Sequence, residues 1–339
     1  MALITSGFGP AFGGIGVVSA AIARAMARDV EVVVWRHHPN WPRFLRTTAL
    51  IARALPALLS PPDLILFSHI DLARLMVVLP FPKKTRYAVM MYGIEVWRPL
   101  DRLRQAAVRR AAALVSISEL TVRKAREANP WLPTARVLWL GTTEREGSEH
   151  AAEPTVLMLG RMASQERYKG HDTLLDAWPR ILEAVPEAKL VIVGDGDDRA
   201  RLEARAAGSP SVTFTGFVPD EQRELLLRSA SALVSVSTGE GFCLAALEAA
   251  SAGLPVVALK GTVSEELFPD GNGHVFLESA DPQHVADAVI GLLTDRRRAT
   301  ALGAAGRRRF REMFTQERFY ERIRSTLQPL LSDPTSATT

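Results

Sequence analysis

Short runs of β-branched and aliphatic residues alternate with helix-length apolar-periodic stretches along this entire 339-residue chain, and that alternation is what most restricts its fold. Strand candidates fall at 2–6, 30–35, 63–67, 86–91, 113–117 and 135–140, and again at 155–160, 189–193, 211–215, 232–236, 255–258 and 274–276. Helix patterns at 171–185, 197–207, 220–230, 242–252 and 281–293 separate the later strands. Strands joined by helices are βαβ units, which build parallel sheets covered by helices on both faces. At about 150 residues per domain, the expectation is two doubly wound α/β domains. The stretch from Gly141 to Pro154 is polar, holds two glycines and ends in proline, so it reads as the linker between them. The end of the chain, 331–339, lacks apolar periodicity and is expected to be disordered.

Composition narrows the function classes. The first 23 residues carry no charge, yet no basic segment precedes them and Gly7, Gly9, Pro10, Gly13, Gly14 and Gly16 interrupt them, which argues for a loop over a signal peptide or membrane span. A single cysteine, Cys243, excludes an intramolecular disulfide, and seven scattered histidines without an HExxH spacing give no zinc motif. A cytoplasmic setting and chemistry without a metal or other cofactor are expected.

Charge is divided unevenly. Residues 1–150 hold 20 Lys and Arg against 11 Asp and Glu, a balance of +9, while 151–339 hold 21 against 26, a balance of −5. Five of the six tryptophans (Trp35, Trp41, Trp97, Trp131 and Trp139) also lie in the first half. That half suits an anionic, sugar-bearing or membrane-bound ligand, the alternative being an ordinary solvated basic surface. On a helical wheel for 43–59, Arg43, Arg46 and Arg53 gather on one side, with Phe44, Leu45, Ile51, Leu55, Leu58 and Leu59 spread over the other. Such a segment fits an in-plane membrane helix or a sheet-covering helix, and Pro56 kinks or ends it.

Parallel sheets bind ligands at the carboxyl ends of their strands, so the loops there are the places to look for chemistry. After the first strand, SGFGPAFGGIG leads into a helix from about Ile15, placing Gly13, Gly14 and Gly16 where backbone amides can approach a diphosphate. The string departs from the dinucleotide fingerprint, and the second strand ends in Trp35-Arg36 where an acidic ribose ligand would stand, which speaks against a Rossmann oxidoreductase. In the second half, Arg161 follows the strand TVLMLG and Lys169 precedes the next helix, a fork and a point charge suited to a diphosphate. The strand ALVSVST leads into Gly239-Glu240-Gly241-Phe242-Cys243-Leu244, then Glu248, with a helix expected from about Gly241 and free amides at Phe242, Cys243 and Leu244. If helical throughout, the Glu240 to Glu248 interval spans roughly 12 Å of axis. Asp195-Gly196-Asp197 sits where a helix starts, so capping is expected of it in preference to metal binding. The runs Arg296-Arg297-Arg298 and Arg307-Arg308-Arg309 read as solvated helix faces.

Taken in order, the strings GGIG near the start, GIEVWRPL at 93–100, GRMASQERYKG at 160–170, VIVGDGDDR at 191–199, FTGFVPDEQ at 214–222, EGFCLAALEAASAGLPVV at 240–257 and GTVSEELFPDGNGHVF at 261–276 resemble the family 4 retaining glycosyltransferases of GT-B fold. The resemblance implies two Rossmann-like domains facing across a cleft, 1–146 on the acceptor side and 147–314 on the donor side, with a C-terminal helix at about 315–330 returning to the first. It implies that Arg161 and Lys169 hold the diphosphate of a nucleotide-sugar, Glu240 contacts the transferred sugar, Glu248 holds the ribose, and the base lies near Val218. The leaving diphosphate then takes the acceptor proton, so no protein base is needed. One departure stands out: Met91-Tyr92-Gly93 occupies the place of a His-Gly pair in the family, with His69 a candidate replacement. The acceptor is expected to be a glycan or a lipid-linked molecule; the +9 balance and tryptophans of the first half point to docking there, with Arg43, Arg46, Arg53, Arg98, Arg102 and Arg104 as its contacts, an anionic membrane surface as a further partner, and no nucleic acid. A catalytically weak partner subunit is the alternative that Tyr92 motivates.

Overall fold

The computed structural model describes residues 1–9, 13–36, 52, 56–146 and 153–332. The proposed helix at 43–59 lies outside them apart from Ala52 and the short helix Pro56–Leu59, and Arg43, Arg46 and Arg53 lie outside them altogether. So do 147–152 of the expected linker and the tail 333–339. The chain divides into two units, Met1–Leu140 with Glu317–Thr339, and Gly141–Gln316.

Strands buried on both faces have no solvent side to mark with polar residues, so they appear in sequence as unbroken apolar runs. Every residue of Tyr87–Met91 (YAVMM), Val256–Leu259 (VVAL) and Ala2–Thr5 (ALIT) is buried accordingly. The first unit holds six parallel strands: β1 (Ala2–Thr5), β2 (Val33–Arg36), β3 (Ile65–Phe67), β4 (Tyr87–Met91), β5 (Ala113–Ser116) and β6 (Ala135–Val137), in the order β2-β1-β3-β4-β5-β6. Two of its helices begin where a side chain satisfies a free amide: Asp101 caps Arg102–Arg109 and Ser118 caps Glu119–Ala128. The C-terminal helix Gln316–Leu327 belongs to this unit, where Arg136 Nη1 donates to the Thr326 carbonyl at 3.0 Å.

The second unit repeats the scheme with β7 (Thr155–Leu159), β8 (Lys189–Val193), β9 (Val212–Gly216), β10 (Ala232–Ser235), β11 (Val256–Leu259) and β12 (His274–Leu277), in the order β12-β11-β10-β7-β8-β9. Chain direction away from β7 reverses between β7 and β10, and this switch point is where the diverging loops of a doubly wound sheet leave a crevice. Its core joins Val156, Met158, Ile192 and Val234 of the sheet to Leu174, Trp178 and Ile181 of helix His171–Ala184 and to Val285 and Val289 of helix Pro282–Thr294. Both doubly wound sheets match the expected fold class, strand for strand.

Two local expectations change. The helix after β10 begins at Leu244, with Cys243 at its N-cap in a non-helical conformation (φ −92°, ψ 83°), three residues later than Gly241. Burial of both Phe242 and Cys243 explains the delay: an extended turn sends these two side chains inward before the helix starts. On helix Arg296–Met313 the arginine run is not purely a solvated face, because Arg307 pairs with Glu144 and Arg309 donates to the Leu267 carbonyl.

Candidate functional site

The switch point of the second unit is built by close backbone packing. Beyond β7 and β8 the strand pairing continues into the loops, with the Gly160 amide donating to Val193 O and the Met162 amide to Asp195 O, both at 3.0 Å. Gly194 (φ 139°) and Gly196 (φ 159°) face that backbone; a Cβ on them would lie 1.9 Å from the Gly160 carbonyl oxygen and 2.0 Å from that of Met162. Only glycine tolerates both the dihedral and the approach. The VIVGDG string therefore fixes the loop that carries Arg161.

A second pair of loops meets beside the first. After the turn Ser164–Lys169, Gly170 takes the left-handed conformation (φ 87°), and a Cβ there would strike Val236 Cγ2 at 2.6 Å. Gly239 lies under the Tyr168 ring, 2.9 Å from its hypothetical Cβ, while the Thr238 amide donates to the Tyr168 carbonyl. These contacts bring together two residues 71 apart in sequence: Lys169 Nζ donates to Glu240 Oε1 at 2.5 Å. Both are about four-fifths buried, at 18% and 20% exposure. Burial alone would depress the lysine, but the Glu240 carboxylate outweighs it and leaves the pKa above its ordinary value, so the ammonium stays charged. Arg161 is 67% exposed and forks onto the Glu166 carboxylate, with Nε at 3.0 Å from Oε2.

The neighbouring helix Leu244–Ala252 has no side-chain capping bond from its N-cap, Cys243, so the amides of Leu244 and Ala245 are free donors while that of Leu247 bonds the Cys243 carbonyl, and the amides of Phe242 and Cys243 precede the helix. Cys243 is 2% exposed with Sγ 3.1 Å from Ser235 Oγ; burial, then the Glu240 charge, raises its thiol to about 12, so it is no nucleophile near neutral pH. Of the residues between Glu240 and Glu248, only those from Leu244 are helical, so the 12 Å span does not apply. Glu248 is largely buried, and Oε1 alone receives two guanidinium groups, Arg145 Nη2 at 3.3 Å and Arg223 Nη2 at 3.4 Å. The Val218 side chain is buried, whereas its neighbour Phe217 is 76% exposed, so the aromatic face of this loop belongs to Phe217.

Neutral His171 opens helix His171–Ala184 directly behind Gly160; burial, then the Lys169 charge, lowers it to about 4. Sequence reasoning missed it, and missed Arg145. The acidic triplet works structurally: Asp197 accepts from the Ser164 amide at 2.8 Å and from its hydroxyl at 2.6 Å, and Asp195 accepts from the Gly196 amide. The following helix, Arg199–Arg205, has Asp198 at its N-cap with no side-chain capping bond, so the triplet does not cap it as expected. Among the described residues, no three His, Cys, Asp or Glu side chains are grouped to hold a metal ion.

In the first unit, Gly14 lies exposed in the first turn of helix Gly13–Met26. Tyr92 follows β4; its hydroxyl is buried without a hydrogen-bond partner, and burial followed by the Glu95 charge raises its pKa beyond the ordinary range. His69 caps helix Ile70–Ala73, Nδ1 accepting from the Asp71 amide at 3.2 Å, which is a local role. Arg98 and Arg102 are exposed. Arg104, expected among the acceptor contacts, is instead tied to Asp71 at 2.6 Å and Asp101 at 3.1 Å.

Residues 153–295, which include Arg161, Lys169, Glu240 and Glu248 but not Arg145 or the first-unit residues, match the family Glycosyl transferases group 1. The phosphatidyl-myo-inositol mannosyltransferase of Mycobacterium leprae is 35% identical over 161 residues, 46% of this chain and 42% of that protein. A GDP-mannose-dependent alpha-(1-6)-phosphatidylinositol monomannoside mannosyltransferase of Mycobacterium tuberculosis is 37% identical over 168 residues, 45% of this chain and 42% of the relative. The chain thus spans less than half the length of each of these two curated relatives. Among solved structures, the sucrose-phosphate synthase of Thermosynechococcus elongatus superposes with a TM-score of 0.81 at 20% identity, covering 98% of each chain. Anabaena HepE in complex with UDP and glucose gives 0.78 at 18% identity, covering 96% of this chain and 99% of that one. The fold is that of the GT-B glycosyltransferases, and the segment bearing Arg161, Lys169, Glu240 and Glu248 is the part that matches Glycosyl transferases group 1.

Proposed function

We propose that the chain is a nucleotide-sugar-dependent glycosyltransferase that transfers with retention of configuration and needs no metal. The observation that carries this reading is the buried Lys169–Glu240 pair at the switch point of the second sheet, beside an uncapped helix N-terminus. A cation whose charge is retained, the exposed Arg161 fork and the free amides of Leu244 and Ala245 together suit a diphosphate leaving group. Glu240, an acceptor-only carboxylate touching that same cation, suits the hydroxyls of the sugar. In this reading the leaving diphosphate takes the acceptor proton, and the protein contributes charge stabilisation and positioning.

The acceptor in this reading is a glycan or, better supported by the names of the mycobacterial relatives, a lipid-linked molecule in glycolipid or polysaccharide synthesis. An enzyme of that kind works at the inner face of the membrane, docked peripherally; among the described residues no helix is long and apolar enough to cross one. The test is to incubate purified chain with GDP-mannose or UDP-glucose, a phosphatidylinositol-containing lipid extract and EDTA, and to read the product's anomeric configuration by NMR. Transfer with the donor's anomeric configuration is the expected result. An inverted product, or transfer only after magnesium or manganese is restored, overturns the mechanism. Binding without transfer under all conditions favours a partner subunit.

A further inference from the structure

The short polar segment after β6 does more than connect. The Thr142 amide donates to the Phe314 carbonyl at 3.0 Å, and the next three charged residues each find an opposite charge within the second unit. Glu144 receives Arg307 at 3.1 Å and Arg311 at 2.7 Å, Arg145 reaches Glu224 at 3.6 Å and Glu248 at 3.3 Å, and Glu146 receives Arg228 at 2.6 Å. Arg307 also donates to the Arg145 carbonyl at 2.8 Å, which fixes the backbone from which the guanidinium projects. That side chain is only 9% exposed, and its Nε is buried with no acceptor. Arg223, from helix Asp220–Ser229, donates to Asp220 at 2.5 Å, lies 3.4 Å from the same Glu248 oxygen and likewise leaves its Nε buried and unpartnered.

Drawing Arg145, 9% exposed, and the half-buried Arg223 to one largely buried carboxylate is a poor way to stabilise a fold, because desolvation offsets the attraction. It is an effective way to fix a side chain. Both cations engage Glu248 Oε1, so the carboxylate cannot rotate freely and its second oxygen, Oε2, is presented in one direction. We infer that Arg145, assisted by Arg223, is a positioning residue that orients Glu248 Oε2 as the acceptor for the ribose hydroxyls of the donor. The inference rests on the donor-site reading above. Arg145 acts through Glu248 and belongs to the strap at 142–146, so it places a specificity-determining contact outside the segment that matches the family.

The test is calorimetric titration with UDP and GDP and with their 2′,3′-dideoxy counterparts, which keep the diphosphate and lack the hydroxyls. Wild type is expected to prefer the ribonucleotide by about tenfold or more, the usual range for a hydrogen bond to a charged group. Arg145→Met and Glu248→Ala should each reduce that preference to within about threefold, and the double variant should reduce it no further, as expected for residues acting as one unit. Arg223→Met, at a more exposed position, should lower it in the same sense and carries the test if Arg145→Met does not fold. A folded Arg145→Met that keeps the wild-type preference, or loses both nucleotides equally, overturns the inference. If wild type binds none of these nucleotides, or binds ribo and dideoxy forms equally, the donor-site reading fails first and takes the inference with it.

Discussion

Lys169 Nζ and Glu240 Oε1 stand 2.5 Å apart although 71 residues separate them in the chain, and two glycine-mediated loop contacts hold them there. The pair means that, without a ligand, the cation assigned to the diphosphate is neutralised by the carboxylate assigned to the sugar. Glu240→Gln should therefore lower transfer by about 100-fold or more while leaving nucleoside diphosphate affinity unchanged or a few-fold tighter, since Lys169 is released from its counter-charge. Glu248→Ala should weaken both. Calorimetry beside a transfer assay checks this; equal losses of nucleotide affinity in the two variants would contradict the division of roles.

Gly194→Ala should distort the same site from behind. Its Cβ would fall 1.9 Å from the Gly160 carbonyl at a φ of 139°, so the loop bearing Arg161 must move. A loss of about 2 kcal/mol or more in stability is expected, with a larger loss in nucleotide binding. Chemical denaturation and titration of the same preparation measure the two effects.

The strands were legible in the sequence because each is an apolar run bounded by turn residues; Glu240 was legible in the loop beyond the carboxyl end of β10, and Glu248 in the helix that follows that loop. What escaped was non-local. The segment containing Arg145 is polar, so its composition signals a linker; nothing local shows that Glu144, Arg145 and Glu146 find partners 79 to 167 residues away. The alternation of acid, base and acid was the one available clue. The start of helix Leu244–Ala252 was misplaced because Phe242 and Cys243 continue its apolar pattern without adopting helical geometry. Arg104 looked free because its partner Asp71 lies on another helix.

Two buried histidines set the acid side of stability. Burial holds His274 near 3, stacked against Phe268 at 4.3 Å between ring centroids, and His171 lies near 4, so both are neutral in the fold. In the unfolded chain each takes a proton near pH 6.5, so their neutral state favours folding fully above that value. The contribution is lost as pH falls from about 6.5 toward 4, by about 1.4 kcal/mol per pH unit for each histidine. Denaturation midpoints at pH 7.0, 6.0 and 5.0 should fall accordingly, and His274→Phe should flatten the slope. A slope unchanged in that variant would contradict the assignment.

Docking on an anionic membrane should depend on the basic first half. Binding to vesicles containing phosphatidylinositol should weaken as salt rises, because exposed charges are screened beyond about 8 Å at physiological ionic strength. Replacing exposed Arg98 and Arg102 together with glutamine should reduce sedimentation with anionic vesicles several-fold. Equal sedimentation with neutral vesicles, or indifference to the double replacement, would leave these arginines as solvated surface.

The central claim is that residues of the second unit hold the diphosphate of a nucleotide-sugar by their own charges. Isothermal titration of UDP and GDP into the purified chain in EDTA, repeated with Lys169→Met, addresses it directly. The account predicts saturable binding of at least one of the two without metal, and a loss of about tenfold to 100-fold on removing the lysine ammonium. No binding of either nucleotide, binding that appears only with magnesium or manganese, or an affinity untouched by Lys169→Met would contradict it.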